Sequence, residues 1–281
     1  MAHHYFLPIS EACLPPKQTI VPMPGRVGMV GQYPPPRILW LDSTESTHNL
    51  LKTPDYASLP DFSMVAARCQ TAGRGQRGNR WESEDFKNLT FSMPVSPTWL
   101  LPSQQFALSE AVALAVVAFL QSEGIEASVK WPNDIYVGDR KICGILIDHS
   151  IDATRILRSI VSAGLNVNQT LFLSDAPNPV SIKQLLNRDT PVETVATGLL
   201  LLLRQFILLT ATPGGRLEIH NSFMRRLYRN DGLPHPYFDH LRDMRMEAVI
   251  ADVLPDGTLL LRDIADSSIR PYLFKQLSFI I

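Results

Sequence analysis

The stretch Gly73-Arg74-Gly75-Gln76-Arg77-Gly78-Asn79-Arg80-Trp81 limits what this chain can fold into more than any other part of it. Glycine at every second or third place carries a backbone-entropy penalty that a helix or strand interior does not tolerate, so the segment is a loop. Glycine also opens positive φ and lets backbone N–H groups approach an anion, while arginine offers a planar fork of donors matched to phosphate or carboxylate. Trp81 ends the segment with a flat face for packing. The segment therefore reads as a cationic loop that orders itself over a phosphate-bearing ligand.

Two phosphate-binding patterns that it resembles on paper fail in detail. Gly73 to Gly78 spells G-x-G-x-x-G, but a dinucleotide site needs a packed helix next, and residues 79–85 have no apolar stripe. The P-loop pattern fails because Asn79-Arg80 stand where Lys-Ser or Lys-Thr is required. Taken alone, the loop would be a solvated basic hairpin.

The rest of the chain sets the frame. A length of 281 residues with 45% hydrophobic and 19% charged residues predicts one large domain with a sizeable core and a smaller one beside it. A net charge of −1 excludes a general pull towards nucleic acid or an anionic membrane, so neither is expected as a partner. The apolar runs 111–120 and 199–203 are too short to span a bilayer, and the start Met1-Ala2-His3-His4-Tyr5 is no signal peptide. Cys13, Cys69 and Cys143 show neither a disulfide framework nor metal spacing, which suits a cytoplasmic location. Residues 1–37 hold eight of the 22 prolines and predict an extended or irregular extension that catalysis does not need.

Periodicity gives an α+β fold. Strands are expected at 37–41, 64–67, 88–93, 127–131, 135–137, 142–148 and 156–167, the last interrupted at Gly164. Helices are expected at 46–51, 103–121, from a Thr190-Pro191-Val192-Glu193 capping box to about 210, and at 217–228, with Pro213-Gly214-Gly215 as a stop between the last two. From 246 onward only short strands follow, with Pro255-Asp256-Gly257 as a turn. Gly144 inside a strand marks a place where backbone or ligand approaches closely.

Four blocks accompany the loop in a fixed order: Asp42-Ser43-Thr44, Lys130-Trp131-Pro132-Asn133-Asp134, residues 139–146 (Asp-Arg-Lys-Ile-Cys-Gly-Ile-Leu), and Gly164-Leu165-Asn166-Val167-Asn168. With these, residues 38–281 resemble the biotin–protein ligases, also called biotin–[acetyl-CoA-carboxylase] ligases. The resemblance implies a mixed or antiparallel sheet with packed helices over 38–232, of the class II synthetase-like type, and a small SH3-like barrel over 233–281. No helix-turn-helix module precedes the first strand, so a monofunctional ligase is expected. It would activate biotin with ATP and Mg²⁺ as biotinyl-5′-AMP and pass the biotinyl group to a lysine of a biotin carboxyl carrier protein. A homodimer is compatible with the family.

Carried onto this chain, the resemblance implies catalytic roles for Lys130, Arg74 and Arg77. It assigns biotin to Ser43, Thr44, Gln70, Gly73, Arg74, Gly75, Gln76, Lys130, Gly144 and Gly164. ATP or AMP would be held by Arg74, Arg77, Gly78, Trp81, Lys130, Asn133, Lys141 and Asn166, with Asp134 as a ligand for Mg²⁺. A lipoate–protein ligase shares the fold and the adenylate chemistry, and the Lys-Trp-Pro-Asn-Asp block argues for biotin over it. A biotin-binding sensor without turnover is the non-enzymatic alternative; intact Lys130 and arginines argue against it.

Overall fold

A computed structural model describes residues 35–174 and 178–281, together with the backbone of Tyr5–Pro8; the Arg77 side chain and Cys13 lie outside the described residues. An eight-stranded mixed sheet runs in the order β1 (Tyr5–Pro8), β2 (Arg37–Thr44), β3 (Ser63–Gln70), β4 (Leu89–Val95), β8 (Ile156–Leu165), β7 (Arg140–Ile151), β6 (Asp134–Val137) and β5 (Ser128–Lys130). Among the described strands of this sheet, only the β2–β3 ladder is parallel. The proline-rich extension is thus not irregular throughout, because β1 adds an antiparallel edge strand to β2.

Side-chain alternation sorts the two faces of this sheet. Ile38, Trp40, Met64, Ala66, Phe91, Met93, Val161, Ala163 and Leu165 belong to the main core. Beneath them lie α3 (Phe106–Ser122), α5 (Val192–Leu209) and α6 (Pro213–Arg226), α3 packing on both of the others. Thirteen of the seventeen residues of α3 are buried, which is why its sequence is apolar on most faces. The stretch Pro102–Ser122, which contains α3, and the helix α5 are long and apolar enough to pass for membrane spans, yet most of the apolar window of the first is buried inside the protein. Truncating Leu108 or Leu120 to alanine would open a cavity costing roughly 2–5 kcal/mol. On the opposite face Leu39, Leu41, Val65 and Ala67 form a second cluster with Leu51, which lies just after the short helix α1 (Thr47–Leu50), and with Tyr56 of α2 (Pro54–Ala57).

Several sequence expectations need correction. β8 runs unbroken through Gly164, because its neighbours on both sides keep their register there. The predicted capping box at Thr190 does not form: α5 starts after Pro191, and the backbone of Thr190 is tied to the amide of Asn168 instead. Pro213-Gly214-Gly215 opens α6 rather than ending a helix. Thr212 caps it by accepting from the Gly215 N–H, and proline takes the first helical position, where its missing donor costs nothing. A short helix α4 (Ile182–Leu186), capped by Ser181, was not foreseen.

The C-terminal strands are β9 (His235–Asp239), β10 (Met244–Val253), β11 (Leu259–Asp263), β12 (Ile269–Tyr272) and β13 (Leu277–Phe279), in the order β12-β11-β10-β9-β13. This antiparallel sheet is open, so the hydrogen-bonded ladder does not close into the barrel implied by the family resemblance. The Leu254–Thr258 turn seats the sheet on the larger unit. Gly257, at φ +94, packs against Phe106, its carbonyl accepts from Trp131 Nε1 at 2.9 Å, and the Pro255 carbonyl accepts from the Phe106 N–H.

Candidate active site

One row of residues crosses the sheet on the face away from α3: Ala67, Thr90, Gly164, Gly144, Asp134 and Lys130 are each paired with the next. Gly164 and Gly144 stand opposite each other at its centre, and over them lies the Trp81 indole. A Cβ on Gly164 would come within 2.2 Å of that ring and one on Gly144 within 3.0 Å, so the two missing side chains are the space the indole fills. A cleft of about 290 Å³ opens here.

The loop is folded back on itself. Arg74 and Arg80 bridge, the Trp81 N–H donates to the Gly73 carbonyl at 3.0 Å, and the Gly75 N–H donates to the Asn79 carbonyl at 2.7 Å. Gly73 is buried under this crossing, where a Cβ would meet the Trp81 carbonyl at 2.6 Å. Arg74, Gly75, Gln76 and Trp81 line the cleft, as do Asn79 and Arg80. Gly73 and Gly78 do not; Gly78 is exposed at φ +90 and serves the turn.

One end of the cleft is cationic. Lys130, Asp134 and Tyr136 share a face by alternation, but Lys141 and Gly144 should fall on opposite faces. A bulge in β7, opposite Ile135 and Tyr136, shifts the register and turns Lys141 towards Asp134. Lys141 Nζ then reaches Asp134 Oδ1 at 2.6 Å, beside the Trp81 ring. Lys130 Nζ donates to the Tyr136 hydroxyl at 3.2 Å and stands over the rings of Tyr136 and Phe279. Burial pulls the Lys130 ammonium below its ordinary value, partly offset by Asp134 and reinforced by Lys141 and Arg229. Burial also pushes the Tyr136 hydroxyl upward. One carboxylate thus serves two lysines, and the end keeps a net positive charge.

The other end is neutral and polar. Gln70 Oε1 accepts from the Thr47 backbone N–H at 2.8 Å, and the Thr47 hydroxyl lies 2.9 Å from that of Ser92. Ser46, Thr47, Gln70 and Ser162 line this end. Ser43 and Thr44 do not: β2 continues through them, pairing them with Cys69 and Gln70, and the hydroxyls in the cleft belong to the second Ser-Thr pair. Ser46 is the residue that caps α1, accepting from the Asn49 N–H, so the place of the helix start was the signal that picks this pair.

Two asparagines are committed elsewhere. Asn133 lines the cleft, but its amide donates to the Ile145 carbonyl at 2.6 Å while the Ile145 N–H returns a bond to the Asn133 carbonyl. Asn166 is buried outside the lining and donates to the Val180 carbonyl. The C-terminal sheet supplies Leu277, Ser278 and Phe279, with Phe274 beside them, and nothing local in the sequence announced these. Among the described residues no group of three His, Cys, Asp or Glu side chains converges for a metal, and Asp134 is already paired with Lys141. The donor set therefore does not make a protein-held Mg²⁺ site.

Residues 40–168 match the Biotin/lipoate A/B protein ligase family. The bifunctional ligase/repressor BirA of Bacillus subtilis is 34% identical over 131 residues, 46% of this chain and 39% of that protein. Biotin–protein ligase 2 of Arabidopsis thaliana is 30% identical over 135 residues, 47% of this chain and 40% of that one. The matches thus span about two fifths of these relatives. Among solved structures, the biotin protein ligase of Aquifex aeolicus in complex with biotin and ATP superposes with a TM-score of 0.71 at 22% identity, over 86% of this chain and 97% of that one, a likeness of fold. Residues 40–168 thus match a domain of the biotin/lipoate protein ligase family, in a fold like that of the Aquifex aeolicus enzyme.

Proposed function

We propose that the chain is an ATP-dependent biotin–protein ligase that forms biotinyl-5′-AMP and transfers the biotinyl group to a lysine of a biotin carboxyl carrier protein. The observation that carries this reading is the order of polarity along the cleft. Gln70, Thr47 and Ser162 offer neutral hydrogen-bonding groups at one end, the Trp81 indole and the two glycines make an apolar middle, and Lys130 and Lys141 lie at the other end. Biotin has the same sequence of parts: a cyclic urea, a thioether ring with an alkyl chain, and a carboxylate.

The chemistry follows from that alignment. The carboxylate would sit by Lys141 and Lys130, and its oxygen would attack the α-phosphorus of ATP with pyrophosphate leaving. Fixed cations in a partly dry site stabilise the charge that gathers on the phosphoryl oxygens better than water does. Burial keeps Lys130 from being strongly hydrated, which leaves its charge available to an anion. Trp81 Nε1 is buried against the Gly164 backbone without a hydrogen-bond partner among the described residues, so a shift of the indole on ligand entry would bring a free donor into the cleft. Mg²⁺ would enter as the counter-ion of the ATP phosphates, supplying charge neutralisation, rather than as a resident of the protein. Arg74, Gln76 and Arg80 close over the mixed anhydride and keep water from it. The test is transfer of labelled biotin to a carrier domain in the presence and absence of ATP; transfer without ATP, or none with it, would refute the reading.

A further inference from the structure

Behind the neutral end of the cleft a chain of buried groups leads to the surface. The Thr47 hydroxyl lies 2.9 Å from Ser92 Oγ, Ser92 Oγ lies 2.7 Å from Ser162 Oγ, and Ser162 Oγ lies 2.8 Å from His48 Nδ1. His48 Nε2 then lies 2.9 Å from Asp148 Oδ2, and Asp148 also accepts from Lys52. Thr47, His48, Ser92 and Ser162 are all buried, and Asp148 is half-exposed. None of His48, Asp148 or Ser92 lines the cleft.

Three hydroxyls in series have one hydrogen each, so the direction of one fixes the others. A carboxylate can only accept, which makes His48 Nε2 the protonated nitrogen in the neutral ring and Nδ1 an acceptor. Ser162 must then donate to Nδ1, Ser92 to Ser162, and Thr47 to Ser92. Gln70 Oε1 does not need the Thr47 hydroxyl, because it already accepts from the Thr47 N–H at 2.8 Å, shorter than the 3.1 Å to the hydroxyl. All three hydrogens are drawn inward, and what Thr47 and Ser162 present to the cleft is lone pairs.

We propose that His48, oriented by Asp148, is a positioning residue that sets the polarity of the cleft hydroxyls, so that Thr47 and Ser162 accept hydrogen bonds from an N–H group of the bound ligand. The ligand half of this inference rests on the biotin reading, in which a cyclic urea supplies such N–H groups. The charged groups facing His48 are Asp148, Lys52 and Arg74; burial, the largest influence, and the two cations hold the ring below its ordinary pKa against the pull of Asp148, and keep it neutral. Were Nδ1 protonated instead, it would donate to Ser162, the series would run outward, and the same hydroxyls would offer hydrogens where the ligand offers them too.

The test uses the full chain and two readouts. In histidine-labelled protein at pH 7.5, nitrogen NMR is expected to find His48 as the Nε2–H tautomer with Nδ1 accepting; a ring protonated at Nδ1 would overturn the proposal without reference to any ligand. Asp148→Ala removes the half-exposed anchor and keeps the buried groups. Its dissociation constant for biotin should rise roughly tenfold, the equivalent of one hydrogen bond. Its preference for biotin over a ring-N-methylated biotin should shrink towards unity. His48→Gln, which keeps an acceptor, should restore more of that preference than His48→Leu. An unchanged preference in Asp148→Ala overturns the proposal, and failure of the native protein to bind biotin at all would overturn the ligase reading with it, leaving the tautomer result to be read separately.

Discussion

The Gly164 backbone and the Trp81 indole touch so closely that a single methyl group on Gly164 would overlap the ring, at 2.2 Å from Cε2 and 2.3 Å from Nε1. The floor of the cleft and the lid above it are therefore one fitted unit. Gly164→Ala should leave the sheet intact, since β8 adopts ordinary strand geometry there, but must displace the indole. Loss of about 10²-fold in activity is expected, the scale for an ångström of misplacement in a site. Gly144→Ala, at 3.0 Å from Cζ3, should lose less, because the ring needs to give only slightly. Tryptophan fluorescence and activity, measured on the same samples, check both.

The two lysines separate by their surroundings. Lys141 Nζ would lie 3.4 Å from a Cβ on Gly144 and so stands over the floor, whereas Lys130 is flanked by Tyr136 and Phe279. Lys141→Met should lower pyrophosphate exchange on the order of 10²–10³-fold, as removal of a donor to developing charge does. Lys130→Met should also lower it, by less, and should weaken nucleotide binding. Equal exchange in native protein and the Lys141 variant would remove Lys141 from the chemistry.

Much of this was legible in the sequence, for reasons that can be named. The glycine and arginine spacing of 73–80 forces a loop, and the apolar 106–122 segment can only be a core helix, so both were found. Gly144 within its strand reads as a site of close approach, and the approaching group is Trp81, which also covers Gly164. What local pattern cannot show is parity. The strand β2 runs three residues further than its apolar stretch, which moved the cleft hydroxyls from Ser43-Thr44 to Ser46-Thr47. A one-residue bulge brought Lys141 round to Asp134. Phe279 and the Ser92–Ser162–His48 series depend on contacts between segments far apart in the chain, which no window of sequence contains.

The joint between the two sheets should be felt in the cleft. Gly257 combines positive φ with a carbonyl that accepts from Trp131, next to Pro132 and Asn133 in the lining. Gly257→Ala puts a Cβ 2.7 Å from Phe106 Cδ2 in a backbone conformation costly for alanine. A loss of about 1–3 kcal/mol in unfolding free energy is expected in a urea titration. Activity at a temperature where the variant stays folded should fall as well, because Trp131 loses its anchor.

Stability should carry a signature of His220. It bridges Glu110 of α3 at 2.8 Å and Asp252 of β10 at 3.2 Å, and the bond to Glu110 raises its pKa above the ordinary value despite partial burial. Burial raises the carboxyl of Glu110 too. A raised folded-state pKa stabilises fully below the unfolded value, about 6.5 for histidine, and the gain is lost as pH rises through the folded value. The melting temperature of the native protein should therefore exceed that of His220→Gln by more at pH 6 than at pH 8.5. A gap that widens towards alkaline pH would show that the bridge is not charged.

A cleft that activates biotin supports acid-dependent pyrophosphate exchange into ATP. Purified chain is supplied with ATP, Mg²⁺ and labelled pyrophosphate, with biotin, lipoic acid or no acid added. Biotin should start rapid exchange, and lipoic acid should give little above the rate without acid. Exchange that follows lipoic acid in place of biotin, or tight biotin binding with no exchange, would contradict the account.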